Sequence, residues 1–299
     1  MEMSVFNKKE LRWAIHCFLI DHFPKTALGR EWKLQYGKNF NWKDPQTLNE
    51  KIVWLMANTD TSLWTKCADK IAVRDYVKDK GLEDILTHLY GTWSDARDID
   101  FETLPNKFVI KCNHDCGSTH IIDQSKGFDK EGLIKELNDR IGERFGYSSC
   151  EPHYTRIKPK ILAEEFLSSP NDSFSSSLVD YKVWCFNGRP CYIWAAHNRT
   201  KEHVYTNVYD LSWHVHPEKS VFTNHFRDGE GVVPKPKSFN RMMEAAAVLS
   251  EGFHQVRVDF YDIDGVLYFG EMTFSSAAGR MEYFTDEFQR ELGSMVELK

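Results

Sequence analysis

The sequence has no long hydrophobic run, which excludes the simplest membrane-spanning designs. Its first apolar stretch, residues 11–23, is interrupted by Arg12, His16 and Asp21 and is too short and too polar to cross a bilayer. The residues before it are mixed in charge, so no secretory signal is visible. We expect this stretch to form a helix docked on its own domain. Attachment of an amphipathic helix to a membrane surface is the alternative.

The cysteines lack the paired spacings that are typical of disulfide frameworks and zinc sites. The seven cysteines are an odd number, and Cys112 and Cys116 flank His114 with no second Cys/His pair at the distance of a zinc site. We therefore expect reduced thiols in a cytoplasmic protein and no structural zinc.

Positive charge and a P-loop are lacking as well. The chain has 38 Lys and Arg residues against 44 Asp and Glu residues, and its net charge of −6 argues against binding nucleic acid through phosphate contacts. No Gly-Lys-Ser/Thr segment follows a predicted strand, so the nucleotide-binding P-loop is missing. A local anion site remains compatible with this composition.

The 299 residues are enough for a large core divided into two or three lobes. Residues 1–98 are predicted to be mostly helical, with a helix that begins in a capping box formed by Thr47 and Glu50. A further helix is predicted over residues 68–80. Its pairs Asp69-Lys70 and Arg74-Asp75 bring opposite charges together on one helix face, and we assign Asp69 and Asp75 to a solvated face.

Two predicted strands each carry a lysine that could bind an anion. Lys111 ends the strand 107–112 and precedes a turn with Gly117, whose backbone N–H groups could approach a phosphate closely. Lys182 stands among apolar residues of the predicted hairpin 181–196, where an ammonium group requires an anion. The alternatives are a surface hairpin with an exposed lysine for Lys111 and a structural ion pair for Lys182.

The most informative stretch is the predicted hairpin 256–273, in which β-forming residues flank an Asp-Gly turn. A two-residue turn would put Asp259 and Glu271 on opposite faces. A three-residue turn with Gly265 as its bulge would put Arg257, Asp259 and Glu271 on one face. We predict the second register, because two carboxylates and a guanidinium together suit Mg²⁺ and a phosphate chain. Ordinary solvated charges are the alternative.

Taken in order, these signals resemble the ATP-grasp superfamily, and more closely its TupA-like branch. That branch is associated with teichuronopeptide, capsule and other surface-polysaccharide synthesis. The closer resemblance covers residues 49–273 and is carried by Leu-Asn-Glu-Lys at 48–51, Phe-Val-Ile-Lys-Cys-Asn-His-Asp at 108–115, Tyr-Lys at 181–182, Cys-Phe-Asn-Gly at 185–188 and Val-Arg-Val-Asp-Phe-Tyr at 256–261.

The resemblance implies an α+β ATP-grasp fold, with two α+β subdomains gripping ATP between antiparallel sheets behind a mostly helical N-terminal region. The expected units are residues 1–98 for the N-terminal region, 99–167 for the small lid subdomain and 168–299 for the large subdomain. The large subdomain would hold the metal and substrate sites.

The resemblance also implies roles for individual residues. The phosphates of ATP would contact Lys111 and Lys182, under a turn made of Asp115, Gly117, Ser118 and Thr119. The adenine would lie against backbone groups of Glu164, Glu165, Phe166 and Leu167, with an acid reaching its amino group. Mg²⁺ would be held by Asp259 and Glu271, and less strongly by Thr273, where many ATP-grasp enzymes have Asn. The expected catalytic residues are Arg257, Lys182 and Arg280, with Arg257 stabilising the transferring phosphoryl group and the acyl-phosphate.

By the same resemblance we expect a bacterial, ATP- and Mg²⁺-dependent ligase that joins a carboxylate to an amine through an acyl-phosphate. The predicted substrates are an amino acid or small amine and a hexuronic acid of a sugar nucleotide or surface-polysaccharide precursor. Five cations would receive the carboxylate or the sugar-nucleotide phosphates unless they are ordinary surface charges: His197, Arg199, Lys201, Arg227 and Arg280. The alternatives are a phosphotransferase on the same fold, a polysaccharide-biosynthesis protein of the kind labelled glycosyltransferase, and a non-catalytic binding protein.

Overall fold

A computed structural model describes residues 8–168 and 175–298, which form nine α-helices and ten β-strands. The helices are α1 (Lys8–His22), α2 (Pro24–Tyr36), α3 (Leu48–Asn58), α4 (Ser62–Ala68), α5 (Val73–Asp79), α6 (Lys130–Ile141), α7 (Phe145–Ser149), α8 (Phe239–Ser250) and α9 (Asp286–Ser294). The strands are β1 (Leu89–Trp93), β2 (Lys107–Cys112), β3 (His120–Asp123), β4 (Ile161–Glu165), β5 (Asp180–Phe186), β6 (Arg189–His197), β7 (Val204–Tyr209), β8 (Phe226–Asp228), β9 (Gln255–Ile263) and β10 (Val266–Thr273). The predicted α+β class is confirmed.

The smaller sheet has four antiparallel strands in the order β1-β4-β2-β3. On β2, Phe108, Ile110 and Cys112 are fully buried in a core that α6 covers with Leu133 and Leu137. Since alternate residues of a strand point to opposite faces, Lys111 projects from the other face of this sheet.

The larger sheet has six strands in the order β10-β9-β5-β6-β7-β8, antiparallel except for the parallel pair β7–β8. The hairpin β5–β6 turns at Asn187 and Gly188, whose φ angles of 50° and 76° are those of a tight Asn-Gly turn. One face is covered by α8 through its apolar stripe, in which Met242 and Leu249 have no solvent exposure. The sheet therefore has one covered face and one face available for a site.

The N-terminal helices belong to the core of the larger sheet. Ile52 of α3 and Val77 of α5 lie in the same buried cluster as Val183 of β5 and Val258 of β9. The strand β1 instead pairs with β4 of the smaller sheet. The predicted division at residues 98 and 167 remains a prediction, and its first boundary would separate β1 from its partner strand. No helix in the two described ranges is long and apolar enough to cross a bilayer.

The predicted capping box at the start of α3 is confirmed, with Glu50 N donating to Thr47 Oγ1 and Thr47 N donating to Glu50 Oε2. The continuous helix predicted over residues 68–80 is wrong. The chain breaks between α4 and α5 because Asp69 Oδ1 accepts hydrogen bonds from Ile71 N at 2.8 Å and from Asn113 Nδ2 at 2.8 Å. A short carboxylate that bonds nearby backbone competes with helix formation.

The predicted register of the last hairpin is also wrong, although the faces it was chosen to explain are correct. Ile263 pairs with Val266, so the turn has two residues. The bulge lies at Gly270: Phe269 pairs with Phe260, and Glu271 pairs directly with Asp259. A bulge inserts one residue and inverts the faces of those that follow. Asp259 and Glu271 therefore share a face for a different reason from the one predicted.

We expect Gly270→Val to destabilise the protein by about 1–3 kcal/mol, because a Cβ there would lie 3.0 Å from Asp259 O and 3.4 Å from the Tyr261 ring. The measurement is the free energy of unfolding from urea titration. Gly29→Ala is the control and should not be destabilised. Gly29 lies in α2, and a Cβ there would be at an ordinary contact distance of 3.4 Å from the Trp42 ring. Equal stability of Gly270→Val and the wild type would show that the bulge does not require glycine.

Candidate active site

A cavity of about 400 Å³ lies between the two sheets. The smaller sheet contributes β2 and β4, and the larger contributes β5, β9 and β10. Ten of the residues predicted for the site line it: Lys111, Thr119, Glu164, Glu165, Phe166, Leu167, Lys182, Arg199, Asp259 and Glu271.

The centre of the site is the carboxylate of Asp259, which is 2% exposed. The register of the sheet places Asp259 between Lys182 on β5 and Glu271 on β10. Lys182 Nζ lies 2.6 Å from Asp259 Oδ2. Arg257 donates through Nε to Asp259 Oδ1 at 2.7 Å and through Nη2 to Asp259 Oδ2 at 2.8 Å. Two cations thus compensate one buried carboxylate.

Arg257 also connects Asp259 to the second carboxylate. Its Nη2 donates to Glu271 Oε1 at 3.0 Å and to Thr273 Oγ1 at 3.1 Å, while Nη1 donates to Ser276 Oγ at 3.2 Å. The Thr273 hydroxyl in turn donates to Glu271 Oε1 at 3.1 Å. The guanidinium is therefore fixed in position between both predicted metal ligands.

The charges continue to the mouth of the cavity. Asp180 Oδ2 lies 3.7 Å from Lys182 Nζ and 2.8 Å from Arg199 Nη2. Six side chains thus form a series of alternating charge: Arg199, Asp180, Lys182, Asp259, Arg257 and Glu271. Sequence reasoning missed Asp180, although its position two residues before Lys182 on one strand places both side chains on the same face.

Glu271 is the accessible carboxylate of the pair, with its side chain 44% exposed against 3% for Asp259. Burial alone would raise the pKa of Glu271, but Arg257, Lys182 and Lys70 outweigh it and lower the pKa to about 2. Glu271 is therefore ionised at neutral pH and available to a cation.

On the opposite wall, Lys111 Nζ forms an ion pair with Glu164 Oε1, and Thr87 Oγ1 donates to Glu164 Oε2 at 3.1 Å. Burial would raise the pKa of Glu164, but Lys111 lowers it. Glu165 Oε2 accepts from His88 N at 3.2 Å. Both carboxylates predicted to reach an adenine amino group are thus engaged with the protein.

The turn predicted to cover the phosphates is only partly directed at the cavity. Ser118 is buried, accepting from Cys112 N at 2.9 Å and donating to Asp115 Oδ1 at 2.6 Å. The side chains of Asp115 and Ser118 therefore hold the turn together and are not among the residues that line the cavity. The contact of this turn with phosphates remains a prediction. Thr119 lines the cavity, and Gly117 is exposed with a φ of 87°.

Lys70 is a site residue that was not predicted from the sequence, where it belongs to a run of alternating charges. It lies in the break between α4 and α5, lines the cavity, and donates from Nζ to the carbonyl oxygen of Asp115. Burial lowers the pKa of Lys70, and Glu271 opposes that shift. The sequence signal for a break in the helix was Asp69. Its carboxylate accepts hydrogen bonds from Ile71 N and from Asn113, which is 44 residues away in sequence.

Five predicted cations are not among the residues that line the cavity. Arg257, which is 8% exposed, is bound to Asp259 and Glu271 instead. His197 is buried, with Nδ1 3.0 Å from Asn198 Nδ2, and Lys201 is exposed. Arg227 Nε donates to Asn224 O at 3.3 Å, and Arg280 Nη2 donates to Ser149 O at 3.1 Å. Of the five proposed substrate cations, Arg199 alone is among the residues that line this cavity.

The donor set fits Mg²⁺ held together with a nucleotide. In the described parts of the chain, no group of three or more His, Cys, Asp or Glu side chains could hold a metal by itself. Mg²⁺ in proteins commonly takes one or two carboxylates and completes its shell with waters and substrate phosphates. Asp259 and Glu271 would be those carboxylates, Glu271 being the more accessible and Asp259 already bound to Arg257 and Lys182. The Thr273 hydroxyl is bound to Glu271.

Two sheets facing one another across a cleft with lysines on both walls and a carboxylate pair are the arrangement expected of an ATP-grasp protein. The family model described as TupA-like ATPgrasp matches residues 50–297. The chain belongs to this family, which confirms the resemblance and the predicted ATP-grasp fold.

Solved ligases resemble the structure at low identity. The D-alanine–D-alanine ligase from Bacillus anthracis in complex with ATP is 14% identical with a TM-score of 0.46, over 77% of this chain and 65% of the ligase. The D-alanine–D-alanine ligase from Helicobacter pylori is 16% identical with a TM-score of 0.41, over 77% of this chain and 61% of the ligase. The ATP-grasp ligase PsnB in complex with minimal precursor, Mg and ADP is 12% identical with a TM-score of 0.38, over 90% of this chain and 66% of PsnB. The chain thus spans less than two thirds of either D-alanine–D-alanine ligase. No curated protein matches the sequence.

The lowered pKa of Glu271 predicts a specific acid sensitivity. A carboxylate whose pKa is lower in the folded than in the unfolded state stabilises the fold above the unfolded value of about 4.3, and that contribution is lost as the pH falls toward 2. We expect the free energy of unfolding to fall less between about pH 6 and about pH 3 in Glu271→Gln than in the wild type. Urea titrations measure this, with the exposed Glu287→Gln as control. An identical fall in Glu271→Gln would contradict the ion pairing described for Glu271.

Proposed function

We propose that the protein is an ATP- and Mg²⁺-dependent ligase that forms an amide bond between a carboxylate and an amine. The supporting observation is Arg257, a buried guanidinium held between Asp259 and Glu271 beside a cleft that is lined by lysines from both sheets. Such preorganised donors stabilise negative charge that develops on a transferring phosphoryl group. Family membership supports the same class of reaction.

In this proposal the γ-phosphoryl group of ATP passes to a substrate carboxylate, releasing ADP and leaving an acyl-phosphate. An amine then attacks the acyl carbon, the C–O bond to phosphate breaks, and an amide and inorganic phosphate are released. Mg²⁺, held by Asp259 and Glu271, would neutralise phosphate oxygens. Lys111, Lys182 and Lys70 would bind the phosphates, and Arg257 would contact the oxygens of the acyl-phosphate.

The nucleobase would lie at Phe166 and Leu167, which follow β4 and line the cavity. Because Glu164 and Glu165 are engaged with other groups, backbone atoms of this segment would supply the polar contacts to adenine. Arg199 at the mouth of the cavity is half-exposed and would receive an anionic substrate. Arg280, also predicted to be catalytic, would act on substrate only if its bond to Ser149 were broken.

For substrates we propose an amino acid or small amine and a hexuronic acid carried by a sugar nucleotide or surface-polysaccharide precursor, in the bacterial cytoplasm. The association of the TupA-like branch with surface polysaccharides supports the uronic acid. Mass spectrometry of reactions with ATP, Mg²⁺ and panels of uronic-acid nucleotides and amino acids would identify the product.

Nucleotide binding can be tested apart from catalysis. ATP with Mg²⁺ should raise the Tm, since a ligand that binds only the folded state stabilises it, by about 2.7 kcal/mol at one hundred times its Kd. We expect Lys70→Ala and Lys111→Ala to reduce this shift by removing phosphate contacts. Lys201→Ala is the matched control, because Lys201 is exposed and outside the cavity. A wild-type shift in both cavity variants would refute their assignment to the phosphates.

The ligase can be distinguished from a kinase by trapping its intermediate. With the carboxylate substrate present, hydroxylamine should replace the amine and yield a hydroxamate, and full release of ADP and phosphate should require both substrates. Glu271→Gln should abolish turnover, since an amide replaces a charged metal ligand poorly. Arg257→Lys should lower turnover by roughly 10²–10³-fold, because it keeps the charge and loses the planar fork.

A stable phosphorylated product formed without amine and without free phosphate would instead identify a phosphotransferase on the same fold. Wild-type turnover in Glu271→Gln would remove the metal assignment under either reaction.

A further inference from the structure

Helix α1 has two apolar faces. One is docked on the protein through Cys17 and Ile20, which are 5% and 2% exposed. On the other, Leu11, Ile15 and Phe18 follow one another at spacings of four and three residues, which align side chains along one side of a helix. They are 52%, 47% and 54% exposed. The docked helix predicted for this segment therefore leaves a second face without a partner in the described structure.

This exposed face continues past the end of the helix. The Phe18 ring lies 5.9 Å from the ring of Phe23, which is itself 53% exposed. Leu11, Ile15, Phe18 and Phe23 are called the α1 stripe below. Contiguous exposed apolar side chains of this size on a polar protein mark a surface that binds something.

The segment that contains the α1 stripe has a net charge opposite in sign to that of the rest of the chain. Residues 8–36, which contain α1 and α2, carry six cations and three acids, a net charge of +3. The whole chain has a net charge of −6, so the remainder carries −9. The cations are Lys8, Lys9, Arg12, Lys25, Arg30 and Lys33, and the acids are Glu10, Asp21 and Glu31.

We infer that the α1 stripe docks on an anionic lipid bilayer surface. An apolar helix face with cations beside it lies in the interfacial plane, where apolar side chains enter the acyl boundary and cations meet anionic headgroups. A symmetric dimer through this face would bring two segments of +3 together, which like-charge repulsion opposes. The inference does not depend on the proposed ligase reaction.

The experiment is co-sedimentation of the full chain with vesicles of phosphatidylcholine, with and without phosphatidylglycerol. The wild type should bind the vesicles that contain phosphatidylglycerol, and binding should weaken as salt is added. The double variant Leu11→Ser/Phe18→Ser should bind at least roughly tenfold more weakly, because two inserted apolar side chains are lost.

The matched control is Leu211→Ser/Val266→Ser, which removes two side chains that are 41% and 54% exposed elsewhere on the surface. It should bind like the wild type. A second variant, Lys8→Glu/Arg12→Glu, keeps the apolar face and should lose the preference for phosphatidylglycerol. Thermal unfolding followed by circular dichroism shows that each variant is folded.

Three outcomes would overturn the inference. The first is failure of the wild type to sediment with anionic vesicles, and the second is binding of Leu11→Ser/Phe18→Ser as tight as that of the wild type. The third is a dimer, detected by light scattering and abolished by the same double variant, without vesicle binding, which would assign the α1 stripe to a second copy of this chain.

Discussion

The burial of the Asp259 carboxylate is the constraint on which the rest of the cleft depends. A carboxylate that is 2% exposed is costly unless cations and hydrogen bonds satisfy both oxygens. Here Arg257 binds both oxygens and Lys182 binds one of them. Without Asp259, each of these buried cations would lose its shortest contact with a carboxylate. The three side chains therefore hold one another in place, and a ligand meets a site that is already ordered.

This constraint also fixes how three strands are paired. Asp259 can meet Lys182 and Glu271 together only if β9 lies between β5 and β10 in the observed register. Without the bulge at Gly270, Glu271 would point to the opposite face of the sheet. The close approach of Gly270 to Asp259 O explains why a residue without a side chain occupies this position. Sheet pairing and site chemistry are thus specified by the same few residues.

Much of this arrangement could be predicted from local patterns in the sequence. The alternation of residues along β9 predicted a common face for Arg257 and Asp259, the apolar neighbours of Lys182 on β5 predicted an anionic partner for it, and the capping box predicted the start of α3. The wrong inferences share one cause, which is that they depended on contacts between distant segments. Turn chemistry could not distinguish Gly265 from Gly270 as the bulge, because the requirement at Gly270 comes from the neighbouring strand.

Lys70 shows the same limit. Charge spacing within residues 68–80 is that of a solvated helix, and the break is caused by the hydrogen bonds that Asp69 accepts from Ile71 N and from the distant Asn113. Arg227 and Arg280 illustrate the converse, since a cation near a motif in sequence can still be bound elsewhere by a backbone carbonyl. Sequence order identified the family, whereas tertiary contacts decided which cations reach the cavity.

The balance of charge in the cavity has a consequence for how a nucleotide could enter it. The lining contains four cations and five carboxylates, namely Lys70, Lys111, Lys182 and Arg199 against Glu164, Glu165, Asp180, Asp259 and Glu271. Most of these cations already neutralise carboxylates, so a bare polyphosphate would meet a cleft without excess positive charge. A divalent cation held by Asp259 and Glu271, of which Glu271 is the more exposed, would supply the missing charge. In the proposed reaction the nucleotide would therefore enter together with its metal, because the lysines alone do not offer enough uncompensated charge to hold it.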